Sequence, residues 1–210
     1  MKKVIKSTRK TTESEMSVQV DFNGLSPDYR SKIHTPRMFL SHMLEQIAYR
    51  GCFTIETDTA LDEFTLDHLV CEDLGMTFGK AIAEYIQVNT QAGIRGYGDA
   101  LGLIDEAMAT AALSFESRAY FAFHTGEVSV PDYAEDVKSE DLLTFLEGFC
   151  QGAKCTLHID LVRGENAHHI FEAVFRSFGS ALRKALKNDE AMKGRTAGVA
   201  GQITYETEVK

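Results

Sequence analysis

A chain of 210 residues, 44% hydrophobic and 25% charged, is long enough for one sizeable core and has the composition of an ordinary globular protein. Its net charge of -9 at pH 7 argues against nucleic acid as the main partner, while leaving room for a local basic pocket that takes a phosphorylated small molecule. No apolar run approaches the roughly 18 residues that a membrane span needs. The four cysteines, Cys52, Cys71, Cys150 and Cys155, form no CxxC pair, so the expectation is a reduced, cytoplasmic protein without a membrane partner.

The N-terminal MKKVIKSTRKTTESE has no hydrophobic segment of the targeting type. MSVQVDFNG alternates apolar and polar residues and ends in a turn signal, which predicts a strand. TPRMFLSHMLEQIAYRG predicts a helix with Thr35 as N-cap, Pro36 at the first helical position and Gly51 as the stop. CFTIETD is a short strand, and LDHLVCEDLGMTFGKAIAEYI a helix with apolar positions at Leu69, Val70, Met76, Phe78, Ile82 and Ile86. The glycines of GIRGYG, Gly93 to Gly98, fit no dinucleotide fingerprint and read as a turn. DEAMATAALSFESRAYFAFHTG predicts one or two strands, Asp141 to Phe149 a helix, CTLHIDLV a strand, and Glu165 to Leu186 a long helix.

This order contains a repeat. Helix FLSHMLEQIAYRG, strand CFTIETD and helix DHLVCEDLGMTFGKAI match helix DLLTFLEGFCQGA, strand CTLHIDL and helix AHHIFEAVFRSFGSAL. His68 and His168 fall at equivalent places, as do Glu72 and Glu172, and Gly79 and Gly179. The expectation is an α+β fold of duplicated half-domains with helices packed on sheets. The pseudo-repeats span about 10–95 and 96–190 of one domain covering 1–210, with a C-terminal tail.

The last helix carries the densest chemistry. His168 and His169 stand four and three residues before Glu172, so both imidazoles lie near one carboxylate on a helix surface. An isolated group of this kind is more often solvated than metallated, but imidazole nitrogen and carboxylate oxygen together suit a divalent ion.

The segments FLSHMLEQIAYRG, DHLVCEDLG, IDEAM, SRAYFAF and CTLHIDLVRGENAHHIFEAVFRSFGSAL together resemble the imidazoleglycerol-phosphate dehydratase family of histidine biosynthesis, from about Glu13 to Leu186. GEN-x-HH-xx-E is the most specific part. The resemblance implies a ribosomal protein S5 domain 2-like fold, a metal-dependent hydro-lyase and manganese bound by histidines and glutamates. It further implies a homo-oligomer, a 24-subunit shell built from trimers, with metal sites between subunits.

Carried over residue by residue, the resemblance implies His42, His68, His168, His169, Glu72 and Glu172 as metal ligands. Two positions depart from the pattern: Leu69 and Thr144 stand where the family has histidine. Taking the i, i+3 pair as the chelate, one set is His42, His68, His169 and Glu172, and the other, Leu69, Glu72, Thr144 and His168, has both losses. One ion per chain is therefore favoured over two. Glu13, Glu72 and Glu172 are the candidate catalytic carboxylates. Gln46, Arg95, Arg118, Arg176 and Arg195 are the candidate substrate-binding residues, for a phosphorylated imidazole. Arg95 is adjacent to Gly96, which aligns with the family's arginine, and Ala197 stands at the place of a lysine in its terminal phosphate loop. A non-catalytic paralogue that keeps the fold and shell, and a one-metal lyase or isomerase on another small polar substrate, are the rival readings. His34, His124 and His158 have no family counterpart, and His158, on a strand, reads as structural.

Overall fold

A computed structural model describes residues 1–61, 66–201 and 203–209. The first sheet is antiparallel, β1 (Val4–Lys10), β2 (Ser14–Asp21) and β3 (Thr54–Leu61) in that order. The second has the order β4-β5-β9-β6, built from β4 (Tyr97–Ile104), β5 (Ala107–Ser114), β6 (Tyr120–His124) and β9 (Thr156–Arg163). Here β4, β5 and β9 pair antiparallel and β6 adds parallel to β9. A small hairpin, β7 (Tyr133–Ala134) and β8 (Val137–Lys138), precedes the second pair of helices. The helices are α1 (Met38–Gly51), α2 (Asp67–Val88), α3 (Ser139–Ala153) and α4 (Ala167–Ala185).

Strand, strand, helix, strand, helix is thus written twice, with β6 and the β7–β8 hairpin added in the second copy. The duplication is carried by period. On β5 every second residue is buried, so one face of the sheet takes helices and the other stays open. On α4, Phe171, Phe175, Phe178 and Leu182 form one fully buried stripe at helical spacing. The helices pack across the halves: α2 lies on β1 and β2 and also against α3, while α4 lies on β4 and β5 and also against α1. Since α1 corresponds to α3 and α2 to α4, the α1–α4 and α2–α3 crossings are pseudosymmetric partners. A common core joins them, with Phe78, Phe145, Phe149, Phe175 and Phe178 in ring contact across all but α1.

The α2–α3 crossing is close because it is lined with glycine. A Cβ on Gly75 or Gly79 would fall on the carbonyl oxygen of Phe145 or Phe149, and one on Gly152 on that of Met76. A Cβ on Gly179, the counterpart of Gly79, would meet Ile47 of α1.

Two expectations change. Helix α1 starts at Met38 with Arg37 as its cap residue, so Thr35 and Pro36 lie outside it. The Thr35 hydroxyl is engaged locally, donating to the Arg37 carbonyl at 2.6 Å and accepting from the Arg37 amide at 3.2 Å. The GIRGYG stretch is a turn only at Gly93 and Gly96, with φ of 81° and 76°; Gly98 is already in β4. His158 lies exposed on β9, where its ring stacks on His124 at 6.0 Å between centroids. Among the described residues no helix is long and apolar enough to cross a membrane.

Candidate metal centre

The α1–α4 crossing brings His42, His168 and Glu172 together, with ligand atoms all within 4.8 Å of one another. Glu172 Oε2 lies 3.6 Å from His42 Nε2 and 3.2 Å from His168 Nε2. The geometry follows from helix spacing. His168 and Glu172 are i, i+4 on α4, and α1 presents His42 from across the crossing. Asn166 caps α4, its side-chain oxygen accepting from the His168 and His169 amides, which fixes where the pair of imidazoles emerges.

Glu172 is only 5% exposed. A buried carboxylate requires compensation, and each oxygen has its own. Arg176, one turn on, donates to Oε1, leaving Oε2 to the two imidazoles. The guanidinium is held in turn by Gln46 Oε1 at 3.1 Å and the Leu103 carbonyl at 2.9 Å. Two of the candidate substrate-binding residues, Arg176 and Gln46, therefore bond to each other beside the donor group. Nitrogen and oxygen donors converging around a desolvated carboxylate suit a divalent first-row ion.

His169 turns away from this group, its ring at 84° to that of His168. Its Nδ1 meets Glu106 Oε2 at 2.8 Å and its Nε2 lies 3.7 Å from Asp105 Oδ2. The carboxyl of Glu106 is held down at about 2, first by the Asn166 amide and then by His169, and that bond raises His169 in return. Within one chain the pair that gathers with His42 is therefore the i, i+4 pair His168 and Glu172, while His169, of the i, i+3 pair, faces Glu106 and Asp105. Helix geometry permits both; the α1–α4 crossing selects the residue that faces His42.

The pseudosymmetric α2–α3 crossing carries His68 and Glu72 on α2 and Thr144 on α3, but they do not gather. The Thr144 hydroxyl donates to the Glu140 carbonyl at 3.0 Å within its own helix. His68 is exposed, and its Nδ1 lies 3.6 Å from Asp141 Oδ1. Burial first, then the nearby Asp67 and Glu140 carboxylates, raises the Asp141 carboxyl. One crossing brings His42, His168 and Glu172 together, and at the other Thr144 stands where α1 has His42. Leu69 is partly buried against the core.

The remaining candidates lie elsewhere. Glu13 is exposed at the turn between β1 and β2, and among the described residues its carboxylate has no hydrogen bond or ion pair. Arg118 is exposed and lines a 770 Å³ cleft with Ser114, Glu116, Tyr120 and the terminal segment at Val199. The loop from Arg195 to Gly198 approaches the same region: a Cβ on Gly198 would meet Glu116, and the Val199 amide donates to Glu116 Oε2 at 3.1 Å. Ala197 packs against Gly96, so the place of the family's lysine offers no cation, and Arg195 is exposed nearby in sequence. Arg95 is exposed too, and among the described residues only its backbone is tied down.

A protein-family model described as imidazoleglycerol-phosphate dehydratase matches residues 35–182, which contain both crossings. The chain belongs to the imidazoleglycerol-phosphate dehydratase family. The imidazoleglycerol-phosphate dehydratase of Burkholderia multivorans is 37% identical over 204 residues, covering 96% of this chain and all of that protein. The enzyme of the same name from Burkholderia mallei is 36% identical over the same span. Among solved dehydratase structures, that of Pyrococcus furiosus superposes with a TM-score of 0.75 at 30% identity, covering 93% of this chain and 99% of that one. The Staphylococcus aureus dehydratase gives 0.72 at 26% identity, with 88% and 100% covered. The duplicated α+β fold is that of the dehydratase family.

Proposed function

We propose that this chain is a hydro-lyase of histidine biosynthesis that dehydrates imidazoleglycerol phosphate with the help of manganese. The observation that supports it most is the convergence of His42, His168 and Glu172 at the α1–α4 crossing of a chain in this family. A bound ion supplies a Lewis acid and a template for the imidazole ring of the substrate. His42 and His168 offer Nε2 and Glu172 offers Oε2, while Arg176 keeps the carboxylate from turning. Arg118 and Arg195, near the open cleft, are the cations for the phosphate in this reading, and Arg95 is a further exposed one. Glu13 and Glu72 are the carboxylates assigned to proton transfer. Their distance in sequence and element from the donor group, like the outward turn of His169 and the exposure of His68, fits a homo-oligomer in which copies complete each other's sites. The chain is read as one domain with pseudo-repeats at about 10–95 and 96–190.

The test is turnover of imidazoleglycerol phosphate by protein made in a host that lacks its own dehydratase. Turnover that needs added manganese, stops on chelation and is lost in His42→Ala is expected. Manganese-loaded protein that gives no product above buffer would overturn the reading.

A further inference from the structure

The four motif histidines sit on three helices and differ in exposure, yet each turns Nδ1 to a carboxylate. His42 Nδ1 lies 3.2 Å from Glu45 Oε2, one turn along α1. His168 Nδ1 lies 3.0 Å from Glu135 Oε1, in the turn of the β7–β8 hairpin. His169 Nδ1 lies 2.8 Å from Glu106 Oε2, in the β4–β5 turn. His68 Nδ1 lies 3.6 Å from Asp141 Oδ1 on α3. The three histidines outside the motifs have no carboxylate within ion-pair distance among the described residues; His34 instead places Nε2 2.8 Å from the Ser31 carbonyl.

A carboxylate accepts hydrogen bonds and cannot donate while ionised, so it holds the single proton of a neutral imidazole on the nitrogen it faces. The other nitrogen then keeps its lone pair for a metal. Where two of these rings converge, Nε2 is the atom that points inward: His42 and His168 present it to Glu172 at 3.6 and 3.2 Å without a hydrogen bond, whereas Nδ1 of each is hydrogen-bonded to Glu45 or Glu135. We infer that Glu45, Glu106, Glu135 and Asp141 are positioning residues that set the Nδ1–H tautomer of the four histidines and leave Nε2 as the metal donor. The inference rests on the metal reading above and adds its supporting layer.

Asp141 is the most informative of the four. Aligning α3 on α1 puts Asp141 where α1 has Phe39, whose ring lies against His168 at 4.9 Å between centroids. At the damaged crossing a buried carboxylate thus takes the place of a phenyl group and faces the surviving imidazole. His68 keeps a carboxylate 3.6 Å from Nδ1, at ion-pair distance without the hydrogen bond that the other three make, although α3 has Thr144 where α1 has His42.

The experiment reads tautomers first, in metal-free protein at about pH 8, above the ordinary imidazole range. Two-bond proton–nitrogen spectra of uniformly ¹⁵N-labelled protein should show His42, His68, His168 and His169 as Nδ1–H, with His34 as Nε2–H for comparison. Glu135→Ala should shift His168 toward Nε2–H and weaken manganese binding about 10–100-fold in competition with a chromophoric chelator. Glu135→Gln should restore both, since the amide oxygen still accepts from Nδ1–H. Asp141→Ala and Asp141→Asn should do the same to the tautomer of His68. Glu135 makes no other hydrogen bond or ion pair among the described residues, so its variants avoid the helix-capping role of Glu106. Nε2–H tautomers in the wild type, or Glu135→Ala with unchanged tautomer and affinity, would overturn the inference. Wild-type protein with the expected tautomers and no manganese binding would overturn the metal reading, and the metal role of these carboxylates with it.

Discussion

At the scale of single residues, Arg176 shows what the sequence could and could not convey. The resemblance to the family marked it as a candidate substrate-binding residue, and its place four residues after Glu172 was given no reading of its own. The structure adds that its donors are taken by Glu172, Gln46 and the Leu103 carbonyl, so it works by holding a buried carboxylate. No spacing rule could join Gln46 to Arg176, which are 130 residues apart. Glu106 and Glu135 were invisible for a similar reason: IDEAM was read as a matching segment, but nothing in the sequence said which imidazole its glutamate would face. Removing the guanidinium leaves a charge in a site that is 5% exposed. Arg176→Met should therefore destabilise the metal-free protein by about 2–4 kcal/mol in urea unfolding, somewhat below the roughly 3–5 kcal/mol for stripping one partner from a fully buried ion pair, because the Arg176 side chain is 21% exposed. Arg176→Lys should recover only part of this, because one ammonium cannot span three acceptors in different directions. A loss below about 1 kcal/mol in Arg176→Met would show that water replaces the guanidinium at little cost.

Among elements, the long helices were legible and the polar or glycine-bearing strands were not. Of β1, only Ile5 is buried; Lys, Ser, Thr and Arg fill an edge strand that displays almost no alternation to read. In β4, Gly98 belonged to the stretch read as a turn, and Gly102 was given no reading. They are strand residues where α4 comes so near that a Cβ would fall on the Ala181 or Ala173 carbonyl oxygen. The start of α1 was misread because its cap is remote. The Met38 and Phe39 amides donate to Asp136 at 2.9 and 3.0 Å, a residue almost a hundred positions later. The β7–β8 turn thus fixes the N-terminus of α1 with Asp136 and the ring of His168 with Glu135. Loss of a cap carboxylate typically costs about 0.5–2 kcal/mol. Asp136→Ala should lower stability by that amount while leaving the His168 tautomer in place, as measured by urea unfolding beside ring-nitrogen spectra. Asp136→Asn should retain most of the stability. An unchanged unfolding midpoint in Asp136→Ala would mean that solvent caps α1 equally well.

For the whole molecule, the two pseudosymmetric crossings offer unequal sets of donors. The α1–α4 crossing has two imidazoles and a carboxylate, whereas the α2–α3 crossing has Thr144 in place of one imidazole and leaves His68 and Glu72 apart. About one tightly held divalent ion per chain is therefore expected, measured by elemental analysis after gel filtration, and two full-occupancy ions would contradict it. If metal joins copies of the chain, as the oligomeric reading holds, complete chelation should convert the particle into smaller units in light scattering; a particle unchanged after confirmed metal removal would count against that. Turnover should suffer from two sides. A displaced ligand or its support typically costs about 10–100-fold in affinity or activity. The missing lysine at Ala197 withdraws a charged donor worth roughly 1.5–3 kcal/mol, unless Arg195 supplies it. If the two costs add, they amount to on the order of a thousandfold, so slow turnover of imidazoleglycerol phosphate is expected. Leu69→His with Thr144→His should raise metal content first, because Thr144 now spends its hydroxyl on the Glu140 carbonyl and its replacement by imidazole returns a donor to the α2–α3 crossing. Activity should rise less, since Ala197 remains. Wild-type turnover equal to that of the Burkholderia multivorans relative under the same conditions would show that the substitutions are compensated, and that one complete crossing is enough for the reaction.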